Sequence, residues 1–131
     1  MKKLIFMGAL LFSTIMFGVE VPMLSETSYG VAKNEIGRGK AVMLEVGSDM
    51  CGSCRDMGKM LFRVKQSEPE TAIYFINVRF DRSVANTLGV AMIPTQIIYN
   101  KEGKEMYRHI GPLSTDELYG VLTEYKVRDK R

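Results

Sequence analysis

From Ala41 to Val46 the chain reads Ala-Val-Met-Leu-Glu-Val, with glycines at 39 and 47 on either side and one charge, Glu45, inside the run. A strand with one face in water alternates apolar and polar residues, whereas near-continuous apolarity marks a strand covered on both faces. Such a strand needs packed layers above and below it, which points to an α/β architecture. Five residues beyond Val46 comes Cys51-Gly52-Ser53-Cys54, and from Cys54 onward Met57, Met60, Leu61 and Val64 mark one face at helical spacing until Pro69 ends the element.

The rest of the chain alternates in the same way. Residues 19–24 form a short lead-in, and residues 25–36 carry weak helical character closed by Gly37 and Gly39. Residues 71–80, with Ile73, Phe75 and Val78 among β-formers, read as a second strand. Asp81 serves as N-cap for a short helix through Leu88, closed by Gly89. Residues 93–99 form a third strand opened by Pro94, and residues 100–103 turn the chain into a fourth over residues 104–109, making a hairpin. In the last helix Ser114 and Glu117 are spaced as a capping box ahead of the stripe Leu118, Val121, Leu122 and Tyr125. After the first helix the expected order is β, α, β, α, β, β, α.

At 131 residues, 46% hydrophobic and 25% charged, the chain suits one domain with a single core. Its first residues differ from the rest: Lys2 and Lys3 precede an apolar run from Leu4 to about Phe17. A basic start and a short apolar stretch predict a signal peptide over residues 1–18, a single domain over residues 19–131 and an exported, periplasmic protein. The run is shorter than the roughly 20 residues that span a bilayer, and an uncleaved N-terminal anchor is the alternative. Without Lys2 and Lys3 the 18 basic side chains fall to 16 against 15 acidic ones. That balance predicts no nucleic-acid partner, which would call for clustered excess Lys and Arg. The basic run at residues 126–131 reads as a solvated tail.

Export makes disulfide chemistry accessible to the two cysteines. A loop as short as theirs removes little entropy from the unfolded chain, so the pair is a poor structural staple. It suits thiol–disulfide exchange instead. At a helix start, Cys51 faces unpaired backbone N–H groups and the positive end of the helix dipole, which lower its pKa and make it the nucleophile. Cys54, over the same face and closer to Met57 and Leu61, is the resolving thiol. With no second cysteine pair and one histidine, His109, Cys and His alone cannot close a four-ligand zinc site in one monomer. No metal is expected, and His109 reads as a strand residue.

The residues alone leave two features open. Glu45 is either a buried acid with a raised pKa, fitted to move protons to or from a thiol, or an edge-strand carboxylate facing water. Pro94 is either a trans proline starting a strand or a cis proline presenting a strand edge to an extended substrate.

The buried strand, the CxxC at a helix start, Ile93-Pro94-Thr95 about forty residues later, the hairpin and the last helix together resemble the thioredoxin family across roughly residues 25–125. The likeness is strongest to bacterial periplasmic thioredoxin-like reductases, including the C-terminal periplasmic domain of the transmembrane reductant carrier DsbD. The resemblance implies a thioredoxin fold, with a central mixed sheet of four to five strands flanked by helices. It implies Cys51 as attacking thiol, Cys54 as resolving thiol, Glu45 in the place of the family's buried acid and a cis Pro94 packed against the disulfide. Met50, Gly52, Ser53, Met92, Ile93, Pro94 and Thr95 then form the substrate-binding surface. No cofactor is implied beyond the redox-active Cys51–Cys54 disulfide. The implied partners are oxidised client proteins, apocytochrome c among the possible ones, and a membrane reductant carrier as electron donor.

The chain departs from cytoplasmic thioredoxins in having Met50 where they carry Trp, Gly52-Ser53 where they carry Gly-Pro, and Glu45 where Asp is commoner. Ser53 is able to donate a hydrogen bond toward a thiolate, which favours the reduced form and a somewhat more oxidising pair. Ile93 before the proline and the small Gly-Ser pair favour a reductase over an oxidase or isomerase. The rival reading is a Cu(I)-binding or copper-delivery module, with Cys51 and Cys54 as soft ligands and Met50 and Met92 beside them. The ten methionines of the chain also suit gap-filling core and adaptable apolar contacts.

Overall fold

The computed structural model describes residues 17–129, so the export segment expected over residues 1–18 lies, apart from Phe17 and Gly18, outside the described residues. Among the described residues no helix is long and apolar enough to cross a membrane. Along the chain follow α1 (Tyr29–Glu35), β1 (Val42–Gly47), α2 (Gly52–Ser67), β2 (Ile73–Asn77), α3 (Arg82–Thr87), β3 (Thr95–Tyr99), β4 (Glu105–Ile110) and α4 (Thr115–Glu124). The expected order holds, and the four-stranded sheet runs β2-β1-β3-β4. β1 is parallel to β2, and β3 is antiparallel to both β1 and β4.

Every residue of β1 is buried. Alternate side chains leave a strand on opposite faces, and the two faces of β1 feed two cores. Val42, Leu44 and Val46 join Ala32, Leu88 and Ile97 on one side. Met43 joins Ile98, Met57, Leu61, Leu118 and Leu122 on the other, beneath α2 and α4. This is a thioredoxin fold: a four-stranded mixed sheet flanked by helices.

Local chemistry sets most element ends. Ser114 Oγ accepts the Glu117 N–H at 3.3 Å, and Glu117 Oε2 accepts the Ser114 N–H at 2.7 Å, completing the capping box. Asp81 caps α3 through the Ser83 N–H at 3.0 Å. In the hairpin turn Asn100 Oδ1 accepts from the N–H groups of Glu102 and Lys104, and Gly103 takes a φ of 90° that favours glycine. The first helix begins later than its sequence suggests. Ser28, not Ser25, is its N-cap, because Glu26 bridges to Phe75 and the Thr27 N–H donates to the Phe75 carbonyl at 2.8 Å, holding that stretch extended along the outer edge of β2.

The seam between α2 and α4 includes two thioether acceptors. The Leu113 N–H donates to Met57 Sδ and Thr115 Oγ1 donates to Met60 Sδ, each at 3.3 Å. Leu118, with no exposure, fills the core under that seam. Leu118→Ala is expected to cost about 3 kcal/mol of stability through lost burial and a residual cavity, measured as a lower urea midpoint with an unchanged slope.

Candidate functional site

The site begins where β1 ends. Beyond Gly47 the chain turns sharply: the Ser48 carbonyl accepts the Cys51 N–H at 3.2 Å and Ser48 Oγ accepts the Met50 N–H at 3.1 Å. The Asp49 carboxylate takes hydrogen bonds from Asn77 Nδ2 and Arg79 Nη1, each at 3.2 Å, which fasten the turn to the end of β2. α2 then starts at Gly52 with Cys51 as its N-cap. The cap uses sulfur in the role usually filled by a hydroxyl or carboxylate oxygen. Cys51 Sγ accepts the Cys54 N–H at 3.4 Å and lies 3.4 Å from Ser53 Oγ.

The two cysteines, both free thiols here, occupy different environments. Partial burial alone would raise the Cys51 pKa, but hydrogen bonds from the side chains of Cys54 and Ser53 and from their backbone N–H groups outweigh it and leave the thiol below its ordinary value. Cys54 has no exposure. Its removal from water, together with the hydrogen bond it gives Cys51, pushes it up to about 12. One sulfur is therefore half-buried and biased toward thiolate, and the other is buried and holds its proton.

Glu45 lies on the same side of the sheet. Gly47 and Glu45 are two apart on β1 and share a face. A Cβ added to Gly47 would stand 3.0 Å from Cys54 Sγ and 3.1 Å from Cys54 Cβ, so the bare backbone there admits the buried thiol. Glu45 is 0% exposed, which selects the buried reading over the edge-strand one. Burial raises its pKa to about 8, with the hydrogen bond from Gln96 opposing the rise and the negative charge of Cys51 adding to it. Gln96 Nε2 donates to Glu45 Oε1 at 3.3 Å.

The Ile93–Pro94 peptide bond is cis. Thr95 pairs with Val46 across β1 and β3, so Pro94, one residue earlier, comes level with Gly47 at the cysteine end of the sheet. Pro94 is buried, its carbonyl accepts the Gly111 N–H at 2.8 Å, and Thr95 Oγ1 donates to the Met92 carbonyl at 2.6 Å. Met50 and Met92 are each 65% exposed, Ile93 37% and Gly52 is exposed as well. Cys51, Cys54, Ser53 and Glu45 thus gather toward the end of β1, with the segment from Met92 to Thr95 leading into the neighbouring β3. His109 lies apart on β4, its ring nitrogen 3.4 Å from the Pro112 carbonyl.

Three further residues shape this arrangement without a functional motif to mark them. Ser48 holds the turn, Gly47 makes room for Cys54, and Gln96 meets Glu45. A polar side chain inside the apolar run from Ile93 to Tyr99 was the available sign for Gln96, the same sign that drew attention to Glu45.

A cysteine pair split into a half-buried thiol of lowered pKa and a buried thiol of raised pKa, at a helix start beside a mixed sheet, has the make-up of a dithiol redox protein. The thioredoxin-like domain family matches residues 31–126, and the chain belongs to that family. It is similar to the thioredoxin of Chlamydia muridarum, 26% identical over 85 residues that cover 65% of this chain and 82% of the relative. It is also similar to mitochondrial thioredoxin-2 of Schizosaccharomyces pombe, 23% identical over 99 residues that cover 76% of this chain and 73% of the relative. Among solved structures, Fasciola hepatica thioredoxin superposes with a TM-score of 0.67 at 21% identity, covering 79% of this chain and 99% of that one. The oxidised form of mitochondrial thioredoxin 3 from Saccharomyces cerevisiae gives 0.63 at 20% identity, covering 78% and 94%. The chain is accordingly a thioredoxin-like disulfide oxidoreductase, a class that acts on oxidised proteins, and the spacing of Cys51 and Cys54 fits it.

Glu45 makes stability depend on pH in a definite direction. Its folded-state pKa of about 8 exceeds the ordinary 4.5, so between those values the folded chain holds a proton that the unfolded chain has lost. Stability therefore falls as pH rises through that window. Glu45→Gln, which resembles the protonated acid, is expected to match the wild type near pH 4.5 and to exceed it by roughly 4 kcal/mol near pH 8, measured by urea unfolding across the range.

Proposed function

We propose that this protein is an exported thiol–disulfide reductase that opens disulfides of client proteins in the periplasm and is itself re-reduced by a membrane reductant carrier. The inequality of the two thiols carries the reading: Cys51 is partly exposed with a lowered pKa, while Cys54 is buried and pushed up to about 12. Cys51 thiolate attacks a client disulfide and forms a mixed disulfide. Cys54 gives its proton to the Glu45 carboxylate, attacks the Cys51 sulfur and releases the client thiolate, leaving the Cys51–Cys54 disulfide. A Cys54 thiol with so high a pKa attacks slowly unless a base sits nearby, and Glu45 occupies the same strand face two residues from Gly47, which faces Cys54.

Met50, Gly52, Ser53 and the segment from Met92 to Thr95 supply the client-facing surface. The two methionines, each 65% exposed, suit apolar contact with varied partners. The basic and apolar start of the chain supports export. The family match favours this redox reading over copper delivery.

The test is the reduction potential of the purified protein in glutathione buffers. A value near the about −270 mV of thioredoxin is expected, whereas one near the about −120 mV of DsbA would reassign the protein as an oxidant. Failure to form a Cys51–Cys54 disulfide would overturn the oxidoreductase reading altogether. With an oxidised client, Cys54→Ser is expected to accumulate the mixed disulfide and Cys51→Ser to form none.

A further inference from the structure

Glu45 and Gln96 stand directly opposite one another in the antiparallel register of β1 and β3, and both are 0% exposed. One hydrogen bond joins them, from Gln96 Nε2 to Glu45 Oε1 at 3.3 Å. Their other polar atoms, Glu45 Oε2 and Gln96 Oε1, are both buried without a hydrogen-bond partner. Buried polar atoms without partners are rare and costly. An ionised carboxylate only accepts and so does an amide oxygen, so these two atoms cannot satisfy each other as they stand. A proton on Oε2 removes both deficits together.

We propose that Gln96 is a positioning residue for proton transfer at this site, forming with protonated Glu45 a reciprocal acid–amide pair in which Gln96 Nε2 donates to Oε1 and Glu45 Oε2 donates to Gln96 Oε1. This rests on the reading of Glu45 as the base for Cys54. In the resolving step the Cys54 proton passes to the Glu45 carboxylate, the Cys54 sulfur bonds to Cys51, and the bond from Cys51 to the client breaks with its electron pair leaving on the client sulfur. Gln96 receives the acid so formed with two hydrogen bonds where the carboxylate had one. In the opposite direction the pair returns the proton to Cys54 as that sulfur leaves the disulfide. The titratable groups facing Glu45 are Cys51 and Cys54 at the start of α2. β2 sets Phe75 beside it, β3 sets Gln96, and α4 contributes apolar Leu118 and Leu122 to the core on that side.

The test is infrared spectroscopy of the reduced full-length protein near pH 6, with the protonated-carboxyl stretch of Glu45 assigned by its loss in Glu45→Gln. In Gln96→Leu that stretch is expected to move to higher wavenumber, as an acid without hydrogen bonds does. Resolution of a pre-formed mixed disulfide at neutral pH should slow by roughly tenfold while the first attack by Cys51 keeps its rate. Gln96→Met, closer in length, repeats the measurement if Gln96→Leu does not fold. A stretch unmoved by either substitution, or one already at the free-acid position in the wild type, would overturn the pair. Wild-type protein that exchanges no disulfide through Cys51 and Cys54 would instead overturn the functional reading and with it the role of Gln96, leaving the infrared shift to decide whether the pair exists.

Discussion

A carboxylate buried without compensation costs several kcal/mol, and Glu45 sits at the middle of a strand with β2 on one edge, β3 on the other and core on both faces. The fold resolves the conflict by keeping the group neutral over much of the ordinary pH range. The neutral acid survives only while the surroundings stay dry, so the packing of Met43, Met57 and Leu61 around β1 is also what maintains the proton. Loss of that packing would let water reach Glu45 and return it toward an ordinary carboxylate.

The same strand sets the difference between the two sulfurs. Gly47 lets Cys54 settle onto the backbone of β1, out of water, while the turn held by Ser48 and Asp49 leaves Cys51 half-buried. Cys51 then finishes a helix whose first N–H groups need acceptors, and thiolate meets that need better than thiol. The start of α2 thus converts a common backbone requirement into a difference of acidity between two identical side chains.

Much of this could be read before the fold was known, for reasons that differ by residue. The capping box of Ser114 and Glu117, the Asp81 cap and the turn at residues 100–103 depend on neighbours a few positions away, so their sequences suffice. The start of α1 could not be read, since Ser25 and Ser28 are equally good caps and the choice falls to pairing with β2 across nearly fifty residues. Glu45 was ambiguous because an acid in an apolar run looks the same on a central strand and an edge strand, and only the strand order separates them. Gln96 stands out as a polar residue in an apolar run, but its pairing does not: its partner lies 51 residues away, and nothing short of the register between β1 and β3 brings them face to face.

The thioether acceptors between α2 and α4 give this protein an uneven tolerance of oxidative damage. Met60 is half-buried and Met57 has no exposure, so a peroxide reaches the first sulfur well before the second. A sulfoxide at Met60 still offers Thr115 Oγ1 an acceptor, and the seam there survives the change. A sulfoxide at Met57 would keep the Leu113 N–H as a donor but force an added oxygen into the close-packed space among Leu61, Ile98 and Leu118. Oxidation along this seam therefore starts at its half-buried sulfur and reaches the buried one last.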